Sequence, residues 1–149
     1  MSKGAYPDWH KMALKITLKP NERMIISGTV LTNGRTKSDF IIENEVPILR
    51  EKDIMSEKDA CSPCRRIYFV IQLMYIDKEN LITHHNTYWE LVRELVEAAP
   101  STLDLVDQLS VYILNKTYYK ALKLAKKMIY FEQEVLERVT QSVGSISKG

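Results

Sequence analysis

Two hydrophobic periods divide the chain. Up to about residue 51 apolar positions alternate with polar ones, and beyond residue 62 they recur every three or four residues. "LKITLKP" (14–20) sets Leu14, Ile16 and Leu18 on one face and Lys15, Thr17 and Lys19 on the other. That is the pattern of a half-buried strand, ended by Pro20. "RMIISGTVLT" (23–32) is rich in β-branched residues, with Gly28 marking a bulge or a close backbone approach. Asn33-Gly34 is the strongest hairpin signal in the region, because both residues accept the positive φ of a type I′ turn. "TKSDFIIEN" (36–44) is then the returning strand and "VPILRE" (46–51) a fourth.

The helical period begins at Ser62-Pro63, an N-cap followed by proline at the first helical position. It introduces "CRRIYFVIQLMYID" (64–77), apolar on nearly every face, which predicts a buried helix. The same run is β-branched and aromatic, so a strand is the alternative. Residues 80–99 and 101–116 carry helical spacing, with Pro100-Ser101-Thr102 as a break and a fresh cap. A last helix is expected from about Thr117 to Thr140, with Leu122, Ala125, Met128, Ile129, Leu136 and Val139 on one side. The predicted fold is α+β: a small N-terminal antiparallel β-sheet followed by a bundle of three to four helices. In domain terms, residues 1–11 read as a disordered extension and 144–149 as a flexible tail. Between them, 12–143 form one domain, β-rich over 12–55 and helical over 62–140. Met12 stands as an alternative start, since regular pattern begins just after it.

Composition adds limits. With 149 residues, 45% hydrophobic and 27% charged, the chain is long enough to bury a core. A net charge of +2 does not by itself announce a nucleic-acid binder. Lys plus Arg against Asp plus Glu runs 8 to 5 over residues 1–50, 6 to 9 over 51–100 and 7 to 5 over 101–149. A polyanion would therefore meet the basic ends or a local patch. The start has no apolar leader. The longest apolar run, residues 67–76, falls far short of the roughly 20 residues of a membrane span. Two cysteines three apart make no secreted disulfide framework. A cytoplasmic protein without a membrane partner is expected.

Candidate chemistry is sparse. Cys61-Ser62-Pro63-Cys64 has no second pair to complete a zinc site, and adjacent His84 and His85 would point about 100° apart on a helix. No strand precedes the pair to make a redox motif, although Cys64 near a helix N-terminus could have a lowered thiol pKa. Two incidental cysteines flanking a helix cap is the preferred reading, with no metal and no cofactor. With no phosphate loop, no HExxH, no GxSxG and only His10, His84 and His85 as imidazoles, the chain is not expected to be an enzyme.

Basic features remain. Lys116, Lys120, Lys123 and Lys127 are spaced 4, 3 and 4, one stripe opposite an apolar helix face that could track phosphates. An ordinary solvated face is the competing account. Tyr118 and Tyr119 lie beside the stripe, Tyr118 toward the buried side. Arg65 and Arg66 open the buried helix against its dipole, which calls for an anionic partner, an internal carboxylate or an outside phosphate. In "PILREKDIM" (47–55), an extended backbone would put Arg50 and Lys52 on one face and Glu51 and Asp53 on the other. The acids would pair with Arg65 and Arg66 or lie in solvent. Arg50 is the better recogniser, because its planar fork bonds bidentately to guanine or phosphate. The competing account is an edge strand charged against aggregation. Phe40 is the only aromatic residue between residues 12 and 60, which tells against base stacking there.

Taken together, "MALKITLKPNERMIISGTVLTN", "PILREKDIM", "CRRIYFVIQLMYID" and "YYKALKLAKKMIYFEQEVLERV" resemble the FlbT family of flagellar regulators from alphaproteobacteria, over Met12 to about Val143. The most specific pieces are Leu18-Lys19-Pro20, Ile48 to Ile54, Arg66 to Tyr75 and Tyr118 to Leu122; residues 1–11 and the two cysteines depart from the pattern. The resemblance implies post-transcriptional control: association with the 5′ untranslated leader of flagellin mRNA, limiting translation and promoting decay, or acting positively in some relatives. It also implies work opposite a second small protein, FlaF, and no catalytic residue. Segment 14–54 is in addition similar to the carbon-storage-regulator family, with Arg50-Glu51-Lys52 in the place of an Arg-Glu-Glu segment used on RNA. The expected RNA contacts are Arg50, Lys52, Arg65, Arg66, Lys116, Lys120, Lys123 and Lys127. The alternative is an adaptor that grips flagellin, FlaF or the translation machinery through its helices. A short edge strand and an apolar helix leave room for a homodimer.

Overall fold

The structure, a computed structural model, describes residues 14–147, with side chains through Ser142. The expected extension over 1–11 and the start at Met12 lie outside the described residues, as do the last two residues of the expected tail. The chain divides into two compact units, one ending at Ile54 and the other beginning at Met55.

The first unit holds five short strands: β1 (Leu14–Leu18), β2 (Arg23–Ile26), β3 (Thr29–Thr32), β4 (Ser38–Ile42) and β5 (Ile48–Arg50). β1 pairs with β4 in a two-stranded antiparallel sheet, and β3, β2 and β5 lie side by side in that order in a second. Alternation holds from Lys15 onward, with Lys15 exposed and Ile16 and Leu18 buried, but Leu14, expected on the same face, is exposed at the strand start. Ile16, Leu18 and Met24 form a core, with Leu31, Phe40, Ile42 and Ile48 packed against it.

The turns fall elsewhere than expected. Segment 23–32 is a hairpin rather than one strand. Ser27 and Gly28, with φ of 48° and 86°, are the two left-handed residues between paired Ile26 and Thr29. That is type I′ geometry. Asn33-Gly34 makes no such turn. Asn33 is buried, and its amide donates to the carbonyls of Leu18, Lys19 and Thr36 at 3.2, 2.9 and 3.0 Å. The chain crosses here from one sheet to the other. Composition explains the choice: a turn at 33–34 would fold Leu31 and Thr32 onto polar Arg35, Thr36 and Lys37, whereas the turn at 27–28 sets Ile25 against Val30 and Met24 against Leu31.

The second unit is four helices: α1 (Pro63–Ile76), α2 (Leu81–Ala98), α3 (Leu103–Leu114) and α4 (Tyr118–Ser147). The helix reading of 64–77 holds and the strand alternative falls. The Ser62 hydroxyl accepts from the Arg65 N–H at 3.3 Å, and Pro63 is the first helical residue. α1 buries Cys64, Ile67, Tyr68, Val70, Ile71, Gln72 and Met74, residues on every side, and packs against both α2 and α4. α2 contributes Tyr88, Val92 and Leu95, and α3 contributes Val106, Leu109 and Ile113. Buried Gln72 is satisfied by the main chain of Met55, accepting its N–H at 2.8 Å and donating to its carbonyl at 2.9 Å. Pro100 breaks the chain as expected, but no side chain caps α3: Thr102 Oγ1 donates back to the Ala99 carbonyl at 2.6 Å. α4 continues past Thr140 to Ser147. No helix among the described residues is long and apolar enough to cross a membrane.

Candidate nucleic-acid interface

The charge block follows β5 but does not extend it. Met24 pairs with Arg50, and continued antiparallel pairing would set Arg23 opposite Glu51 and then need Glu22 opposite Lys52. Glu22 already belongs to a turn, its N–H bonded to the Lys19 carbonyl at 3.1 Å. With no partner strand left, Glu51–Asp53 coil into a 3₁₀ turn. The expected strand face shared by Arg50 and Lys52 is therefore absent. Glu51, expected to answer Arg65 or Arg66, pairs within its own unit with Arg23 at 3.5 Å.

Arg50 is mostly committed inside the unit. Its Nη2 donates to the Thr17 carbonyl of β1 at 2.9 Å and to Glu22 Oε2 at 3.1 Å, tying one sheet to the other. Its Nε is buried without a partner among the described residues. Glu22 also accepts the Lys19 N–H at 3.1 Å. That bond first, and the Arg50 guanidinium second, hold its carboxyl below the ordinary carboxylate range. The two turns enclose a surface cavity of about 410 Å³ lined by Lys19 to Glu22 and Arg50 to Lys52. Glu22 is answered by Arg50 and Glu51 by Arg23, which leaves Lys19 and Lys52 as exposed ammonium groups without an ion pair among the described residues. Lys19, Asn21 and Glu22 were not foreseen as part of this site. Lys-Pro-Asn-Glu announces a turn, but nothing local says that it faces a residue 28 positions on.

In the helical unit Arg65 is half-buried and Arg66 exposed, and neither forms an ion pair among the described residues. The anion that answers the α1 N-terminus is Glu132 of α4, which accepts the Cys64 N–H at 3.0 Å. Burial, and then the Glu132 carboxylate, push the Cys64 thiol up to about 12, opposite to the lowering expected at a helix N-terminus. Cys61 is exposed, and both cysteines are free thiols. No group of three or more His, Cys, Asp or Glu among the described residues could hold a metal. His84 is engaged by Asp77 at 3.0 Å and His85 by the Tyr118 hydroxyl at 3.3 Å.

The lysine stripe is realised in part. Lys120, Lys123 and Lys127 are exposed along α4, and the Lys123 ammonium sits 4.6 Å from the ring centre of exposed Tyr119. Lys116 is not on that helix. It is the left-handed residue, φ 59°, that closes α3: its N–H bonds to the Ile113 carbonyl, and the Thr117 N–H bonds to that of Tyr112. Of the eight expected contacts, Arg50 and Lys52 belong to the first unit, at the β cavity; in the second unit Arg65 and Arg66 open α1, Lys120, Lys123 and Lys127 lie on α4, and Lys116 lies in the turn before it.

The described residues thus define an α+β protein with exposed cations beside a turn-lined cavity. Comparison with known proteins names the family. The chain matches the family described as "Flagellar protein FlbT" over residues 14–136, and it belongs to that family. This is a regulatory family, not one of enzymes. The chain is 42% identical over 125 residues to the "Probable flagellum biosynthesis repressor protein FlbT 1" of Bradyrhizobium diazoefficiens, covering 83% of this chain and 85% of that one. It is 39% identical over 127 residues to the corresponding protein of Rhodopseudomonas palustris, covering 85% of this chain and 100% of that one. To the "Flagellum biosynthesis repressor protein FlbT" of Caulobacter vibrioides it is 34% identical over 141 residues, 90% of this chain and 96% of that one. No solved structure matches.

Proposed function

We propose that this protein represses flagellum biosynthesis in the cytoplasm, after transcription, by binding the 5′ leader of flagellin mRNA and lowering its translation and lifetime. The observation that carries the reading is the family match across nearly the whole chain, shared with the Caulobacter repressor. Physical chemistry supplies the means. Single-stranded RNA is held by cations that meet phosphates and by exposed aromatic rings that stack on bases. Lys120, Lys123 and Lys127 beside Tyr119 offer both on one helix. The β cavity offers Lys19 and Lys52 at its rim and a volume suited to a single nucleotide. Arg50 acts there by fixing the cavity wall.

The test is a gel-shift titration against the flagellin leader and a shuffled RNA of equal length, at two salt concentrations. The wild type should prefer the leader and keep that preference at the higher salt. Replacing Lys120, Lys123 and Lys127 together by alanine should weaken both RNAs alike and reduce the salt slope by about 2, at about 0.7 per phosphate contact on single strands. Lys19→Ala with Lys52→Ala should likewise weaken the leader and the shuffled RNA alike. Absence of any RNA affinity at low salt ends this reading. A second reading, an adaptor that grips flagellin or FlaF without touching RNA, draws on Ile82 and Trp89, exposed two turns apart on α2. Co-purification that survives nuclease treatment would support it.

A further inference from the structure

Between Tyr118 and Phe131, helix α4 holds four lysines and no acid. Its side chains Ala121, Leu122, Ala125, Met128 and Ile129 are buried, and Lys126 is half-buried. Turned outward are Lys120, Lys123 and Lys127 together with Tyr119, Tyr130 and Phe131, the three rings each at least 50% exposed. At about 100° per residue these six fall within an arc of about 120°. Tyr119 and Tyr130 stand within about 20° of one line along the helix and about 16 Å apart. Lys123 and Lys127 run beside that line, and Lys120 and Phe131 flank the far edge. The next acid, Glu132, is turned away from this strip, where it accepts the Cys64 N–H at 3.0 Å. Glu134 is the first acid to return to the outward side, and it ends the strip.

Cations alone fit any polyanion, and rings alone fit any apolar surface. Their alternation on one strip fits a chain that carries phosphates and flat faces together. The Lys123 ammonium lies 4.6 Å from the Tyr119 ring centre, so a cation and a ring stand side by side, as one nucleotide with its phosphate requires. No aliphatic side chain stands in the strip between Tyr119 and Phe131, which leaves little to enter the acyl layer of a membrane. We propose that this side of α4 is a platform for unpaired RNA, with phosphates along Lys123 and Lys127 and bases stacked on Tyr119 and Tyr130. The inference rests on the RNA reading above and deepens it, adding Tyr130 as a second stacking ring and requiring that the bound segment be single-stranded. Bases paired inside a duplex cannot reach the rings, so a duplex engages the lysines only.

Fluorescence anisotropy of the full chain at low salt tests the platform, with a labelled RNA of about eight adenosines, longer than the roughly five that cover 16 Å at about 3.4 Å per nucleotide. The comparison probes are the same strand paired with its complement and an abasic strand of equal charge. The wild type should bind the single strand at least about tenfold more tightly than either. Tyr130→Leu keeps an apolar side chain at an exposed position and removes the ring. It should cost about tenfold on the single strand and nothing on the abasic strand, with helical circular dichroism unchanged, while Tyr130→Phe keeps the affinity. Lys123→Ala with Lys127→Ala should weaken all three probes alike. Equal binding of the single and abasic strands, or a single strand indifferent to Tyr130→Leu, overturns the platform while leader binding through other groups stands. No affinity for any RNA ends the leader reading and the platform with it. Capture by phosphatidylserine vesicles that Tyr130→Leu abolishes, without binding to the single strand, overturns the platform in favour of a membrane surface.

Discussion

Consider replacing Arg50 by alanine, the change that a purely recognition-based account would choose first. In the structure this guanidinium is a clamp, with one nitrogen on the Thr17 carbonyl at 2.9 Å and on Glu22 at 3.1 Å. A hydrogen bond from a charged donor contributes about 1.5–3 kcal/mol. The side chain is 37% exposed, which argues for the low end of that range for the Thr17 bond. Loss of the buried part of its stem adds something under about 1 kcal/mol, and removal of the unpartnered Nε returns a similar amount. The net cost is about 1.5 kcal/mol, which corresponds to about tenfold in an opening equilibrium. Native-state amide exchange reads it locally: the amides of β1, β2 and β5 should exchange about tenfold faster in Arg50→Ala, while those of α1 keep their rates. Lys52→Ala, which removes an exposed ammonium, should leave every rate within about twofold. If Arg50→Ala leaves β5 exchange unchanged while abolishing RNA binding, the guanidinium is a contact and not a clamp, and this reasoning is refuted.

Three further outcomes follow from the same contacts. Gln72→Leu strips the Met55 N–H and carbonyl of their partners, and urea unfolding should show a loss of about 2–4 kcal/mol at unchanged m-value; a loss under about 0.5 kcal/mol would mean that water replaces the amide. Alkylation of the native protein at pH 8 should mark Cys61 alone, because burial and Glu132 hold the Cys64 thiol at about 12. Mass spectrometry should find the second label only in denaturant, and rapid native labelling of both cysteines would contradict the burial. Glu22 is held below the ordinary carboxylate range chiefly by the Lys19 N–H, and Asp77 chiefly by Asn80 and then His84. The folded form therefore binds fewer protons than the unfolded form as acid is added. The stability these carboxylates contribute is present above about pH 4 and is lost as pH falls through their lower folded values. Glu22→Gln and Asp77→Asn should each make that fall shallower in an acid titration followed by circular dichroism, and an unaltered acid limb in both would count against the assignment.

What could be read from the chain follows the range of the forces involved. The α1 boundary was legible because Ser62 and Pro63 act within one turn of themselves. The strand segments were legible because alternation is local, but their partners were not. Asn33-Gly34 carries the better turn propensity, and Ser27-Gly28 makes the turn, since the residues that each would bring together differ in apolar surface. The buried use of Asn33, three carbonyls gathered by one amide, depends on β1 lying alongside, which no local rule supplies. Cys64 shows the same limit: a helix N-terminus argued for a lowered thiol pKa, and a carboxylate 68 residues later reversed it.

The Arg-Glu-Lys-Asp block shows how that limit bears on function. Four consecutive charges look like one surface feature, yet where the partner strand stops assigns three of them different work. Arg50 still has β2 beside it, so its side chain is drawn across to Thr17 and Glu22. Glu51 is level with Arg23, the first residue of β2, and pairs with it. Lys52 is past the end, where the backbone coils and no acid answers it. The two acids nearest the cavity are spent on arginines, so positive charge at the rim is left to Lys52 and, from the facing turn, Lys19. Lysine is a compact point charge rather than a planar fork. On the proposed function, this rim would meet a phosphate by attraction rather than read a base edge bidentately. Any preference for a particular leader has to come from the shape set by Arg50 and Asn21, or from rings such as Tyr119 on α4. Arginine in place of Lys52 would add the missing fork and should raise the preference for the leader over a shuffled RNA in the gel shift, and tighter binding to both with no gain in preference would refute this account of the rim.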